Sequence, residues 1–278
     1  MTDNTDIASF FKDPSASSAI SLRAQQIAAP VVSGLAITVD ELSSGGGIRV
    51  VYLVIDRSPS MEPVARLLLE GFNKYYVPAV QAAQADDIAT LRIGGLTFSS
   101  DITPIWIHGG NALHSLDTLP PLTTAEYDPS RGHSTALNQA IIDGTATAIR
   151  YAADERSNTG IQPEVDIITL SDGANNCAPM DSAPVRKIIK GSKADLVRHT
   201  FLYFETNWGS DDPATIAADL GYDGENVMIF AKKPGETDKE YASRFRRMMR
   251  VMSRVSASRG NSAIKASAAV AATPDDLL

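Results

Sequence analysis

The sequence predicts a doubly wound α/β fold: a mostly parallel sheet with one antiparallel edge strand and helices on both faces. Three observations carry this. Short, nearly unbroken runs of Val, Ile, Leu and Tyr read as strands buried on both sides. Longer segments with apolar residues three and four positions apart separate them and read as helices. One pair of runs is split only by "SSD", too short for a crossover and suited to an antiparallel hairpin.

Taken in order, "LAITVDEL" (35–42) has the pattern of an extra strand, and "SSGGG" (43–47) is a joint before the core. "IRVVYLVID" (48–56) is the first core strand. "EPVARLLLEGFNKYYVPAV" (62–80) follows as a helix, with Pro63 in its first turn and Val64, Leu67, Leu68 and Phe72 on one face. "IATLRIGGLTF" (88–98) and "ITPIWIH" (102–108) form the hairpin. After a loop rich in Pro and Thr, residues 135–155 read as a helix, and "EVDIITLSDG" (164–173) as a buried strand ending in Asp-Gly. "LVRHTFLYFET" (196–206) and "NVMIFAKK" (226–233) are further strands around a helix at 212–222. The last helix, 237–258, opens on a capping box with Thr237 as cap and Glu240 three residues on. The winding is Rossmann-like, and such folds take ligands at the carboxyl ends of the strands where the strand order reverses. Asp56 and Asp172 lie at two such ends.

A chain of 278 residues with 44% hydrophobic and 21% charged residues can bury its own core. The expected division is a flexible tail at 1–34, a folded domain at 35–258 with its core at 48–258, and a flexible tail at 259–278. A net charge of −8 argues against nucleic acid or anionic membrane as partner. The single cysteine, Cys177, excludes an intrachain disulfide. No signal-peptide pattern or apolar run of membrane-spanning length is present, so the expected location is cytoplasmic.

The chemistry concentrates in three places. Strand one ends on Asp56, Ser58 and Ser60, small oxygen donors at alternate positions. Thr135 stands at the mouth of the long helix after "DPSRGHS", and Asp172 ends a buried strand before Gly173. Three hydroxyls and two carboxylates converging on one edge suit Mg²⁺, with Mn²⁺ or Ca²⁺ as alternatives.

These segments, "DRSPS", "GHSTALNQAI" and "TLSDG", resemble the von Willebrand factor A (vWA) family and its metal-ion-dependent adhesion site (MIDAS), over roughly residues 48–258. The resemblance implies that Ser58 and Ser60 ligate the metal directly and Thr135 directly or through water. Asp56 and Asp172 then act through water or by hydrogen bonds to ligands. It further implies a non-enzymatic protein-binding module whose partner supplies an Asp or Glu to the cation. Intracellular members suggest work beside a MoxR-type AAA+ ATPase or in a stress or defence assembly. Pro59 departs from the family, many members of which carry Gly there.

Other readings compete. "GHSTA" around Ser134 looks like a hydrolase elbow but follows a loop rather than a strand. His108, His114, His133, His199 and Cys177 have no zinc spacing. "SGGGIRV" precedes a strand, where phosphate loops follow one. The last helix sets Arg244, Arg246, Arg247, Arg250 and Arg254 opposite Phe245, Met248, Met249, Met252 and Val255, as expected of a helix covering a sheet. Self-assembly through the tails is the second functional expectation, with Asp275 or Asp276 as carboxylates for another copy's metal.

Overall fold

The computed structural model describes residues 47–84, 90–107, 113–192, 197–206 and 212–257. The expected tails, the expected strand at 35–42, most of the joint after it, His108, Asp275, Asp276 and the side chains of Arg254 and Val255 lie outside them.

Six strands form one sheet: β1 (Ile48–Asp56), β2 (Thr90–Phe98), β3 (Ile102–Ile105), β4 (Glu164–Ser171), β5 (Val197–Phe204) and β6 (Val227–Phe230). Their order is β3-β2-β1-β4-β5-β6. All neighbours run parallel except β3, which returns antiparallel along β2. The chain leaves β1 toward β2 and β3, then crosses back to β4 on the other side of β1. The order therefore reverses between β1 and β4, and a crevice opens at their carboxyl ends.

Alternation along β1 assigns the two faces. Val51, Leu53 and Ile55 pack in one core with α1 (Glu62–Gly71), α2 (Val77–Gln84) and α6 (Asp238–Ala257). Val50, Tyr52 and Val54 pack in a second core with α3 (Leu137–Thr159), α4 (Ala183–Ser192) and α5 (Pro213–Leu220). Phe245, Met248, Met249 and Met252 of α6 are buried against the first. The expected capping box is present: Thr237 N donates to Glu240 Oε2 at 2.8 Å, and Glu240 N to Thr237 Oγ1 at 3.3 Å.

Three local expectations are corrected. The helix expected at 62–80 is divided by a π-helical turn at Phe72–Tyr76, where Val77 N donates to Phe72 O. Pro78 lacks an N–H, and its ring would press on the carbonyl four residues back, so the widened turn before it accommodates the ring. The long helix starts at Leu137, not 135, leaving Thr135 in the loop. Helix α4 was not expected; its ten residues carry only Val185, Ile188 and Ile189 as buried apolar residues, a short periodic signal.

Candidate metal centre

Each predicted site residue is held at the β1–β4 crevice by its own local structure. Asp56 closes β1 with no exposed surface. Its Oδ1 accepts from Ser58 N at 2.7 Å, which bends the chain out of the strand, and its Oδ2 accepts from Ser171 Oγ at 2.6 Å. Ser58 then caps a 3₁₀ turn over Pro59–Met61. Pro59 takes the first position of that turn, where an N–H is dispensable, so the departure from glycine fits the geometry. The turn brings Ser58 Oγ and Ser60 Oγ to 3.0 Å. Ser58 is buried and Ser60 partly so.

Asp172 follows β4. Its Oδ2 accepts from Thr206 Oγ1 at 3.0 Å and its Oδ1 from Ala174 N at 3.3 Å. Gly173 then turns the chain with φ of 82°, a conformation glycine adopts without penalty.

The third loop closes over the other two. Asp128 accepts from Ser130 N at 3.1 Å and starts a second 3₁₀ turn, Pro129–Arg131. Gly132 then lies so close to the carbonyl of Arg57 that a Cβ would overlap it. Thr135 N donates to Asn176 Oδ1 at 2.6 Å, and Thr135 O accepts from Asn176 N at 3.0 Å and Cys177 N at 3.1 Å. Asn138 N donates to Asn175 Oδ1 at 3.1 Å, and Ala136 N to Ser99 O at 2.8 Å. The Thr135 loop is thus laced to the Asp172 loop and pressed on the Ser58 loop.

No protein-family model matches the chain, and no curated protein matches it. Among solved structures, the pilus adhesin SpaC from Lactobacillus rhamnosus GG aligns with a TM-score of 0.51 at 12% identity, over 75% of this chain and 30% of its own. The von Willebrand factor type A protein from Catenulispora acidiphila aligns at 0.46 and 15% identity, over 75% and 43%. The SpRpn10 VWA domain aligns at 0.39 and 11%, over 70% and 94%. The chain thus spans under half the length of the first two. At 12% identity the alignment with SpaC concerns the fold alone.

The fold is a doubly wound, Rossmann-like α/β sheet.

In this doubly wound fold the crevice is electrostatically unbalanced. Burial, and then the charge of Asp172, push the Asp56 carboxyl up to about 7, although the bonds from Ser171 and Ser58 pull it the other way. Two buried carboxylates thus lie within electrostatic reach of one another at the crevice. Among the described residues no group of three or more His, Cys, Asp or Glu side chains is placed to hold a metal. The donors at hand are two carboxylates and the hydroxyls of Ser58, Ser60 and Thr135. That all-oxygen set, with excess negative charge, fits a hard divalent cation and not a soft one.

The remaining candidates have structural occupations. Ser134 Oγ lies 2.9 Å from Cys177 Sγ. His114 Nε2 meets Trp106 O at 2.5 Å, His199 Nε2 meets Ser192 Oγ at 2.8 Å, and His133 is exposed. Sequence reasoning missed Ser171, Thr206, Asn175 and Asn176, which hold the site residues without being part of the motif. Ser171 and the asparagines had the signal of adjacency to Asp172; Thr206, 34 residues away, had none.

Proposed function

We propose that this chain is a non-enzymatic protein-binding module that recognises an acidic residue of a partner through a divalent cation, Mg²⁺ first among candidates, held by Ser58, Ser60 and Thr135 with Asp56 and Asp172 behind them. The observation that carries this is the pair of buried carboxylates at the ends of adjacent strands, Asp56 and Asp172, beside the paired hydroxyls of Ser58 and Ser60. vWA-like folds commonly serve in protein–protein interaction, which supports the reading.

The chain's own residues do most of the work. Ser171 and Ser58 N hold Asp56, and Thr206 holds Asp172, so neither carboxylate rotates freely. Neutral hydroxyl ligands leave a bound cation electron-poor, and the cation then supplies affinity for an additional anionic oxygen. A partner carboxylate provides that oxygen. The partner is a protein bearing an exposed Asp or Glu, with a MoxR-type AAA+ ATPase or a stress or defence assembly as the first candidates. We place the protein in the cytoplasm on its acidic, cysteine-poor composition. Among the described residues no helix is long and apolar enough to cross a membrane.

The test has two arms. Calorimetric titration with Mg²⁺ should give uptake by the native protein and none by the Ser58→Ala/Ser60→Ala variant. Affinity capture in Mg²⁺ and in EDTA should retain a partner only with the metal. Identical captured sets, or no uptake at millimolar Mg²⁺, would sink the reading.

A further inference from the structure

We infer that Asp101 is a positioning residue of the metal centre: from the turn between β2 and β3, its carboxylate holds the Arg57 guanidinium away from the crevice and cancels the one positive charge in the segment that carries Asp56, Ser58 and Ser60. This rests on the metal reading proposed above.

The end of β2 and the turn after it touch two loops of the site. Arg57 N donates to Phe98 O at 2.7 Å, and Ala136 N, beside Thr135, donates to Ser99 O at 2.8 Å. Asp101 organises that turn. Its Oδ1 accepts from Ser99 Oγ at 2.8 Å, its Oδ2 from Thr103 Oγ1 at 3.3 Å, and its backbone carbonyl from Ser99 N at 2.9 Å. Those bonds suffice for a hairpin turn. Asp101 Oδ2 accepts one more, from Arg57 Nη2, across 44 residues of chain.

Arg57 is what that further bond answers. It stands between Asp56 and Ser58, and consecutive Cα atoms are about 3.8 Å apart. Salt screens charges over about 8 Å, so the residues proposed to hold the cation feel the guanidinium. It is always protonated, opposes a divalent cation there and attracts the same carboxylates. Its side chain is only 13% exposed, so a fixed partner must stand in for water. Strands β2 and β4 flank β1 on opposite sides. The pair with Asp101 therefore draws the guanidinium to the side away from Asp172.

Asp56 and Asp172, both ionised, offer a divalent cation two negative charges. Arg57 reduces that sum to one, and Asp101 restores it. Without the Asp101 charge, the guanidinium competes with the cation for the crevice carboxylates.

The test is calorimetric Mg²⁺ titration of native protein, Asp101→Asn and the double variant Arg57→Gln/Asp101→Asn. The amide keeps an acceptor for Ser99, so the turn survives while the charge is lost. Asp101→Asn is expected to weaken affinity about tenfold, the lower end of the range for groups one step removed from a metal. The double variant is expected to recover most of that loss, because the competing guanidinium is gone with its counter-charge. A merely structural Asp101 would lower the urea midpoint of the metal-free protein and leave affinity alone, or weaken both variants alike. Unchanged affinity in Asp101→Asn, or no recovery in the double variant, overturns the inference while leaving the metal reading intact. If native protein takes up no Mg²⁺, the metal reading falls and this inference with it. Should Asp101→Asn not fold, Arg57→Gln alone serves: it should bind Mg²⁺ at least as tightly as native protein, and weaker binding overturns the inference.

Discussion

Ser171 Oγ donates to Asp56 Oδ2 at 2.6 Å, so the last residue of β4 is fastened by its side chain to the last residue of β1. The same hydroxyl accepts from Gly173 N at 3.0 Å. One side chain thereby joins the two strands that flank the crevice and sets the turn that follows Asp172.

Removing that clamp should be felt in stability. Ser171→Ala deletes a hydrogen bond to a buried carboxylate, worth about 1.5–3 kcal/mol. Urea unfolding is expected to show a lower midpoint with an unchanged slope. A midpoint equal to that of the native protein would mean that the clamp contributes nothing.

The charge of Asp172 should act in opposite directions with and without metal. Asp172→Asn removes the like charge facing Asp56, so the metal-free protein should melt no lower than the native one. Native protein at a Mg²⁺ concentration 100 times its Kd should gain about 2.7 kcal/mol, and the variant should gain little. Thermal unfolding at several Mg²⁺ concentrations checks both; an equal metal response would remove Asp172 from the site.

Gly132 should prove intolerant of even one methyl group. A Cβ there overlaps the carbonyl of Arg57, so one of the two backbones must shift. Gly132→Ala is expected to cost about 1–3 kcal/mol and to weaken Mg²⁺ uptake, because it lifts the Thr135 loop off the Ser58 loop. Titration calorimetry and urea unfolding measure the two effects on one sample.

Gly71→Ala supplies the contrasting case. Its Cβ would strike the Phe245 ring and force α1 away from α6. A similar loss of about 1–3 kcal/mol is expected, but with Mg²⁺ affinity unchanged, since the crevice lies elsewhere. Loss of metal affinity here would show that the helical layer sets the site.

One part-buried ion pair should give acid sensitivity of known sign. Arg244 forks onto Glu236, with Nε–Oε1 at 2.9 Å and Nη2–Oε2 at 2.8 Å, and stacks on Phe230 at 4.5 Å. The hydrogen bond from Arg244 is the main reason the Glu236 carboxyl falls from 4.5 to about 2. A depressed folded-state pKa means stability that is present above 4.5 and lost as pH falls toward 2. Glu236→Gln should flatten the pH dependence of the unfolding midpoint in that window, and an equally steep profile would rule the pair out as its source.

The motif itself was legible because its parts are local. Asp56, Ser58 and Ser60 lie within five residues, and Asp172 ends a buried strand directly before Gly173. Strands β1 and β4 were readable because burial on both faces makes them nearly continuous apolar runs. The division of the first helix at Phe72–Tyr76 was not, since a widened turn leaves the apolar spacing nearly intact. Thr206 was invisible for another reason: its link to Asp172 spans 34 residues and follows no spacing rule.

The sequence by itself determined the alternation of strands and helices, the antiparallel hairpin, the capping box at Thr237 and the standing of Asp56 and Asp172 at strand ends. Each of these depends on near neighbours in the chain, through periodicity, turn chemistry or side-chain reach. Only the tertiary structure decided that β4 lies beside β1, that Gly132 rests on Arg57, that Asn175 and Asn176 lace two loops together, and that Thr206 holds Asp172. Those relationships form only when segments distant in the chain pack together, where a buried polar group must find its partner within the protein.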